Sequence, residues 1–143
     1  MRAPFVVHEV PFALVRQLLG AMRADGLAIE PIEGVWLGAF ASGDVVAGVA
    51  RLSAQDGVAF LDDVWVQPDL RRRGAGGALV AFAVERGTPL WLICDEDAVA
   101  YYAARGFARV PLERFPPPLA AYFGGKGEWP EASDHVHVAM IAR

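Results

Sequence analysis

The chain has 143 residues, 55% of them hydrophobic, with a formal net charge of −4 at pH 7. That length suits a single domain, 1–143, with a real core, and no apolar run approaches the length needed to cross a bilayer. Nucleic-acid binders carry a basic surface, whereas basic density here is confined to Arg71–Arg73, so neither a nucleic-acid nor a membrane partner is expected.

The first residues show no basic stretch followed by an apolar core and a cleavage site, so no secretory leader is expected. The one cysteine, Cys94, cannot form an intramolecular disulfide and sits in an apolar run, which fits a buried, reduced thiol. A cytoplasmic location follows as the expectation.

Phe5–Val10 reads as a first strand. Pro11 suits the start of a helix, and Phe12, Val15, Leu18, Leu19 and Met22 recur at helical spacing until Asp25-Gly26 stops it. Leu27–Gly34 is a loop carrying Glu30 and Glu33. Val35–Phe40 and Val45–Leu52 form a hairpin around Ser42-Gly43-Asp44, and Val58–Val66 follows a turn at Gln55-Asp56-Gly57. A helix is predicted over Gly74–Arg86, a strand over Leu90–Cys94, a helix over Asp97–Arg105, and strands over Phe107–Val110 and His135–Ala142. Between the last two, Pro111–Asp134 carries Pro116-Pro117-Pro118 and reads as one long connection, since proline does not sit within a paired strand. Its aromatics, Phe115, Tyr122, Phe123 and Trp129, argue against disorder and leave a lid, a homodimer contact or a packed surface loop as alternatives. The fold class is α+β, a mixed sheet with helices on its faces.

The stretch Val64–Val80 is the most informative. An apolar strand stops at Pro68, three arginines and a glycine cluster follow, and then apolar residues resume at helical spacing. The first turn of a helix leaves about four N–H groups without partners at the positive end of its dipole. Glycines let the backbone approach a phosphate closely, and guanidinium groups suit phosphate oxygens. The physics is that of a site for a phosphorylated ligand. Leu79 stands where a Rossmann fingerprint needs its third glycine, and the lone lysine, Lys126, is far from a P-loop position.

What does fit is Arg-x-x-Gly-x-Gly at Arg71, Gly74 and Gly76. This resembles the coenzyme A loop of the GNAT N-acetyltransferase superfamily. A second block agrees: Ala98, Tyr102, Gly106 and Phe107 fall in register with the family's Asn-x-x-Ala, tyrosine and Gly-Phe pattern. The resemblance covers roughly Leu61–Phe107. It implies a mixed, mostly antiparallel central sheet of about six or seven strands flanked by helices, and an acetyl-CoA-dependent acyltransferase. In this reading Val64, Trp65 and Val66 pair with the pantetheine arm, while Arg71, Arg72, Arg73, Gly74, Ala75, Gly76 and Gly77 hold the pyrophosphate. Asp95 stands where relatives often place an asparagine, and an ionised aspartate cannot donate a hydrogen bond.

Acetyl transfer to an amine needs a proton removed, an oxyanion stabilised and a thiolate protonated. No Ser-His-Asp or Cys-His arrangement is evident, and direct attack by a primary amine, of a small molecule or a protein, in a ternary complex needs none. Tyr102 matches the family tyrosine that faces the thioester sulfur and is the expected general acid and cofactor contact, with a core tyrosine as the bland alternative. Tyr101 serves as its control. Asp63 is the candidate base. Successive strand residues face opposite sides, so Asp62 and Asp63 are not expected to share the acceptor. Glu30, Glu33 or a water chain are alternatives. His8, His135 and His137 show no metal spacing and are read as structural, with no metal expected. A non-catalytic domain that senses acyl-CoA, or a protein that binds nucleotide through the basic loop alone, are the competing functions.

Overall fold

Short-range pattern becomes structure in this order: β1 (Val6–Val10), α1 (Phe12–Arg16), α2 (Leu19–Ala24), β2 (Val35–Phe40), β3 (Val46–Gln55), β4 (Val58–Val66), α3 (Ala75–Arg86), β5 (Leu90–Asp95), α4 (Val99–Ala103), β6 (Phe107–Val110), α5 (Pro117–Gly125) and β7 (His137–Ala142). This computed structural model describes residues 5–27, 34–125 and 137–143. The strands make a seven-stranded sheet in the order β1-β2-β3-β4-β5-β7-β6. β4 pairs parallel with β5 at Phe60 and Trp91, whereas β1 with β2, β2 with β3, β5 with β7 and β6 with β7 are antiparallel. This is the mixed, mostly antiparallel sheet with flanking helices that the sequence predicts. Two compact units divide the chain: Met1–Ser53 with Asp62–Ala83, and Ala54–Leu61 with Val84–Arg143.

The first unit is built on Val10, Val15, Met22, Trp36, Val49 and Trp65, with Phe12, Leu14, Leu18 and Leu19 packed against them. The single helix expected from residue 12 onward is two short helices. The N–H groups of Gln17 and Leu18 donate to the carbonyls of Leu14 and Val15, three residues back, which tightens the chain between α1 and α2. Tertiary packing offsets the lost regularity, because leucines on both sides of the step reach the same core. Across from them, Gly48 lets β3 run close to β4: a Cβ there would stand 2.6 Å from the carbonyl oxygen of Trp65.

The second unit centres on Phe60, Phe115, Leu119, Phe123 and Ala139. It corrects the reading of 111–134 as one long connection over the part described, 111–125. Leu112–Arg114 is a single 3₁₀ turn and Pro117–Gly125 is a helix. The prolines begin that helix, where a missing N–H has no helical partner to lose, and the N–H groups of Leu119 and Ala120 both donate to the Pro116 carbonyl at 3.0 Å. Leu119 and Phe123, four residues apart, then fall on one face and are fully buried. Phe123 meets Phe60 edge-on with ring centres 5.4 Å apart, and Phe115 meets Trp91 at 5.8 Å. The aromatics Phe115 and Phe123 therefore belong to the core. Trp129 and His135 lie outside the described residues.

Candidate active site

β4 delivers the chain to its basic loop through a 3₁₀ turn at Pro68–Leu70. Trp65 points inward, 3% exposed, so strand alternation turns Val64 and Val66 to the opposite face. The loop then bends sharply: Arg72 has φ +65° and Gly74 has φ +101°, both left-handed, a conformation natural for glycine and uncommon for arginine. α3 begins at Ala75. The Ala78 N–H donates to the Gly74 carbonyl at 3.0 Å, so the amides of Gly74, Ala75, Gly76 and Gly77 are those without a partner inside the helix. Gly74 has no side chain to cap them, and the first turn carries no acidic residue. A twelve-residue helix thus starts behind a glycine, with the positive end of its dipole beside three exposed arginines.

Those arginines are not equivalent. Arg71 Nη2 donates to Asp25 Oδ2 at 2.6 Å, and Arg71 Nε donates to the Val66 carbonyl at 2.9 Å. The same Asp25 oxygen accepts from Trp65 Nε1 at 2.7 Å. The indole N–H and then the guanidinium hold the Asp25 carboxyl below the usual carboxylate range. Arg71 is therefore engaged with the protein, while Arg72 and Arg73 are exposed. Asp25 had no signal in the sequence beyond its place in a helix-stopping turn.

Further back on β4, Asp62 and Asp63 meet one guanidinium. Arg51 Nη2 lies 2.5 Å from Asp62 Oδ2 and 3.0 Å from Asp63 Oδ2. Alternation along the strand sends the two side chains off opposite faces, and the guanidinium of the long arginine from β3 still meets both. Arg51 also lies 5.5 Å over the Trp36 ring. Glu30 and Glu33 fall outside the described residues.

In the second unit, α4 carries the tyrosine pair. Tyr102 is half-buried, its ring edge-on to Tyr101 at 5.1 Å and to Phe107 at 5.8 Å. Burial, followed by neighbouring Tyr101 and Cys94, pushes its phenol up to about 12. A core tyrosine would be expected to bond its hydroxyl, yet no hydrogen bond from it to the described residues is present. Tyr101 is more exposed, with the Arg105 guanidinium 3.6 Å above its ring. Cys94, on β5, is half-buried with its Sγ 3.8 Å from Met140 Sδ, and burial pushes the thiol up to about 11. Asp95 is exposed at the end of β5 and makes no capping hydrogen bond there. His8 stacks on Phe40 at 4.6 Å, and His137 begins β7 opposite Asp95.

Among the described residues, no helix is long and apolar enough to cross a membrane, and no group of three His, Cys, Asp or Glu could hold a metal ion. Residues 8–107, from β1 to the first residue of β6, match the Acetyltransferase (GNAT) family. No curated protein matches the chain. Its fold is similar to that of N-acetylglutamate synthase from Neisseria gonorrhoeae, solved with coenzyme A and N-acetyl-glutamate, at a TM-score of 0.73 and 14% identity. All of this chain is covered in that comparison, but it spans only 36% of the synthase chain. The PaiA N-acetyltransferase from Thermoplasma acidophilum, solved with coenzyme A, is similar over 99% of both chains at a TM-score of 0.62 and 13% identity. The ribosomal-protein-S18-alanine N-acetyltransferase from Escherichia coli matches 96% of this chain and 92% of its own, at 0.61 and 16%. The basic loop and the tyrosine block both lie within that one family match: the chain belongs to the GNAT acetyltransferase family.

Proposed function

We propose that the chain, working as one domain, binds acetyl-CoA and moves the acetyl group to a primary amine by direct attack in a ternary complex. The observation that carries this reading is the start of α3 at Gly74–Ala75 directly behind the basic loop. The amides of Gly74–Gly77 would hold the pyrophosphate, with Arg72 and Arg73 supplying charge and Val64–Val66 offering backbone groups to the pantetheine arm. The amine nitrogen attacks the thioester carbon, the carbon–nitrogen bond forms and the carbon–sulfur bond breaks. Asp63 takes the proton from the amine, and the Tyr102 phenol donates one to the departing thiolate. Tyr102 suits this role because its hydroxyl has no hydrogen bond among the described residues and a phenol holds its proton at neutral pH, ready to donate. The acidic residues Asp62 and Asp63 on β4 favour a cationic amine over an acidic one as acceptor. Calorimetry with coenzyme A tests the placement: Gly76→Val should fold and lose affinity. Unchanged affinity in that folded variant would reject it. A screen of amines by thiol release then identifies the acceptor class.

A further inference from the structure

We infer that Asp25 is a positioning residue that acts through Arg71 to hold the Arg71–Gly77 loop in its binding shape. The inference rests on the reading of that loop as the coenzyme A site. Three hydrogen bonds converge here. Asp25, in the turn that ends α2, accepts from Trp65 Nε1 at 2.7 Å and from Arg71 Nη2 at 2.6 Å, and Arg71 Nε donates to the Val66 carbonyl at 2.9 Å. Trp65 is buried in the core of the first unit and has little freedom, so its indole aims the carboxylate. The carboxylate in turn aims the guanidinium, whose planar fork fixes direction as well as distance. Arg71 spans the end of β4 and the start of the loop, and the next residue, Arg72, is held in a left-handed conformation that a free arginine avoids. The guanidinium of Arg71 is thus a strut within the protein, and the charges left for phosphate are those of Arg72 and Arg73.

A double-mutant cycle on the full chain, read by calorimetric titration with coenzyme A, tests whether Asp25 acts through Arg71. Asp25→Ala and Arg71→Ala should each weaken binding by about tenfold, the scale of coupling between contacting residues. The double variant should bind no worse than Arg71→Ala alone, because Asp25 has nothing left to orient. If Asp25→Ala lowers the melting temperature too far for titration, Asp25→Asn enters the same cycle, keeping an acceptor for the indole while losing the charge. Wild-type affinity in the Asp25 variants, or losses that multiply in the double variant, would overturn the inference. A wild-type chain that does not bind coenzyme A at all would instead overturn the assignment of the loop.

Discussion

Arg51 and Asp62 meet at 2.5 Å with side chains 3% and 2% exposed, a charge pair taken almost wholly out of water. Removing one partner of such a pair leaves the other charge buried without it, at a cost of about 3–5 kcal/mol. Arg51→Met should destabilise the chain by that amount in urea unfolding. Adding Asp62→Asn should recover part of the loss, because it removes one of the two carboxylate charges that Arg51 faces. A loss below about 1 kcal/mol in the single variant would show that water reaches the pair, as it does at surface ion pairs.

Tyr102→Phe should lower kcat by about 10²–10⁴-fold, the usual worth of general-acid help. The melting temperature should stay near wild type, since the hydroxyl makes no hydrogen bond to the described residues. Tyr101→Phe should change kcat little. Its ring supports Tyr102 edge-on, and that contact survives loss of a hydroxyl. Full activity in Tyr102→Phe, with chemistry shown to limit the rate, would leave thiolate protonation to water.

Stability should fall on the alkaline side. Folding raises the Cys94 thiol from 9.0 to about 11 and the Tyr102 phenol from 10.0 to about 12. Between each pair of values the unfolded chain has released the proton and the folded chain has kept it, so rising pH favours unfolding. The contribution of Cys94 is whole below pH 9.0 and gone above about 11; that of Tyr102 is lost between 10.0 and about 12. Unfolding midpoints followed upward from neutral pH should begin to drop near 9.0, and Cys94→Ala should delay the drop towards 10.0. An onset that Cys94→Ala leaves in place would assign it to other groups.

Phe123→Ala should cost about 3–5 kcal/mol, the range for deleting a buried aromatic, and Leu119→Ala about 2–5 kcal/mol. Both side chains are fully buried in the second unit. Denaturant midpoints within about 0.5 kcal/mol of wild type would return this segment to the status of a surface loop.

The strands and α3 were legible because their signals are local: β-branched runs, turn residues between them, and a glycine cluster ahead of helical spacing. α5 was misread because Pro116-Pro117-Pro118 signals a break in one direction and a helix start in the other. Only the burial of Leu119 and Phe123 decides between them. The loop was found by its spacing, but the division of labour among its arginines was not. Arg71 is recruited by a carboxylate 46 residues earlier in the chain, and single-sequence periodicity carries no information at that range. That Asp62 and Asp63 share Arg51 was likewise out of reach: alternation gives Cβ directions, and a long arginine on the neighbouring strand meets both carboxylates.

The chain's single cysteine has a practical bearing on any assay of this protein. Cys94 is half-buried, and its thiol is pushed up to about 11. Near neutral pH very little of it is thiolate, the form that attacks disulfide dyes and alkylating probes. Coenzyme A released in turnover carries its thiol into open solvent. Colour from a thiol-reactive dye should therefore report product against an almost silent protein background, with no need to engineer the cysteine away. The same quiet residue leaves the surface free for labelling: a cysteine placed at exposed Val45, on the turn before β3, would take up a fluorophore selectively.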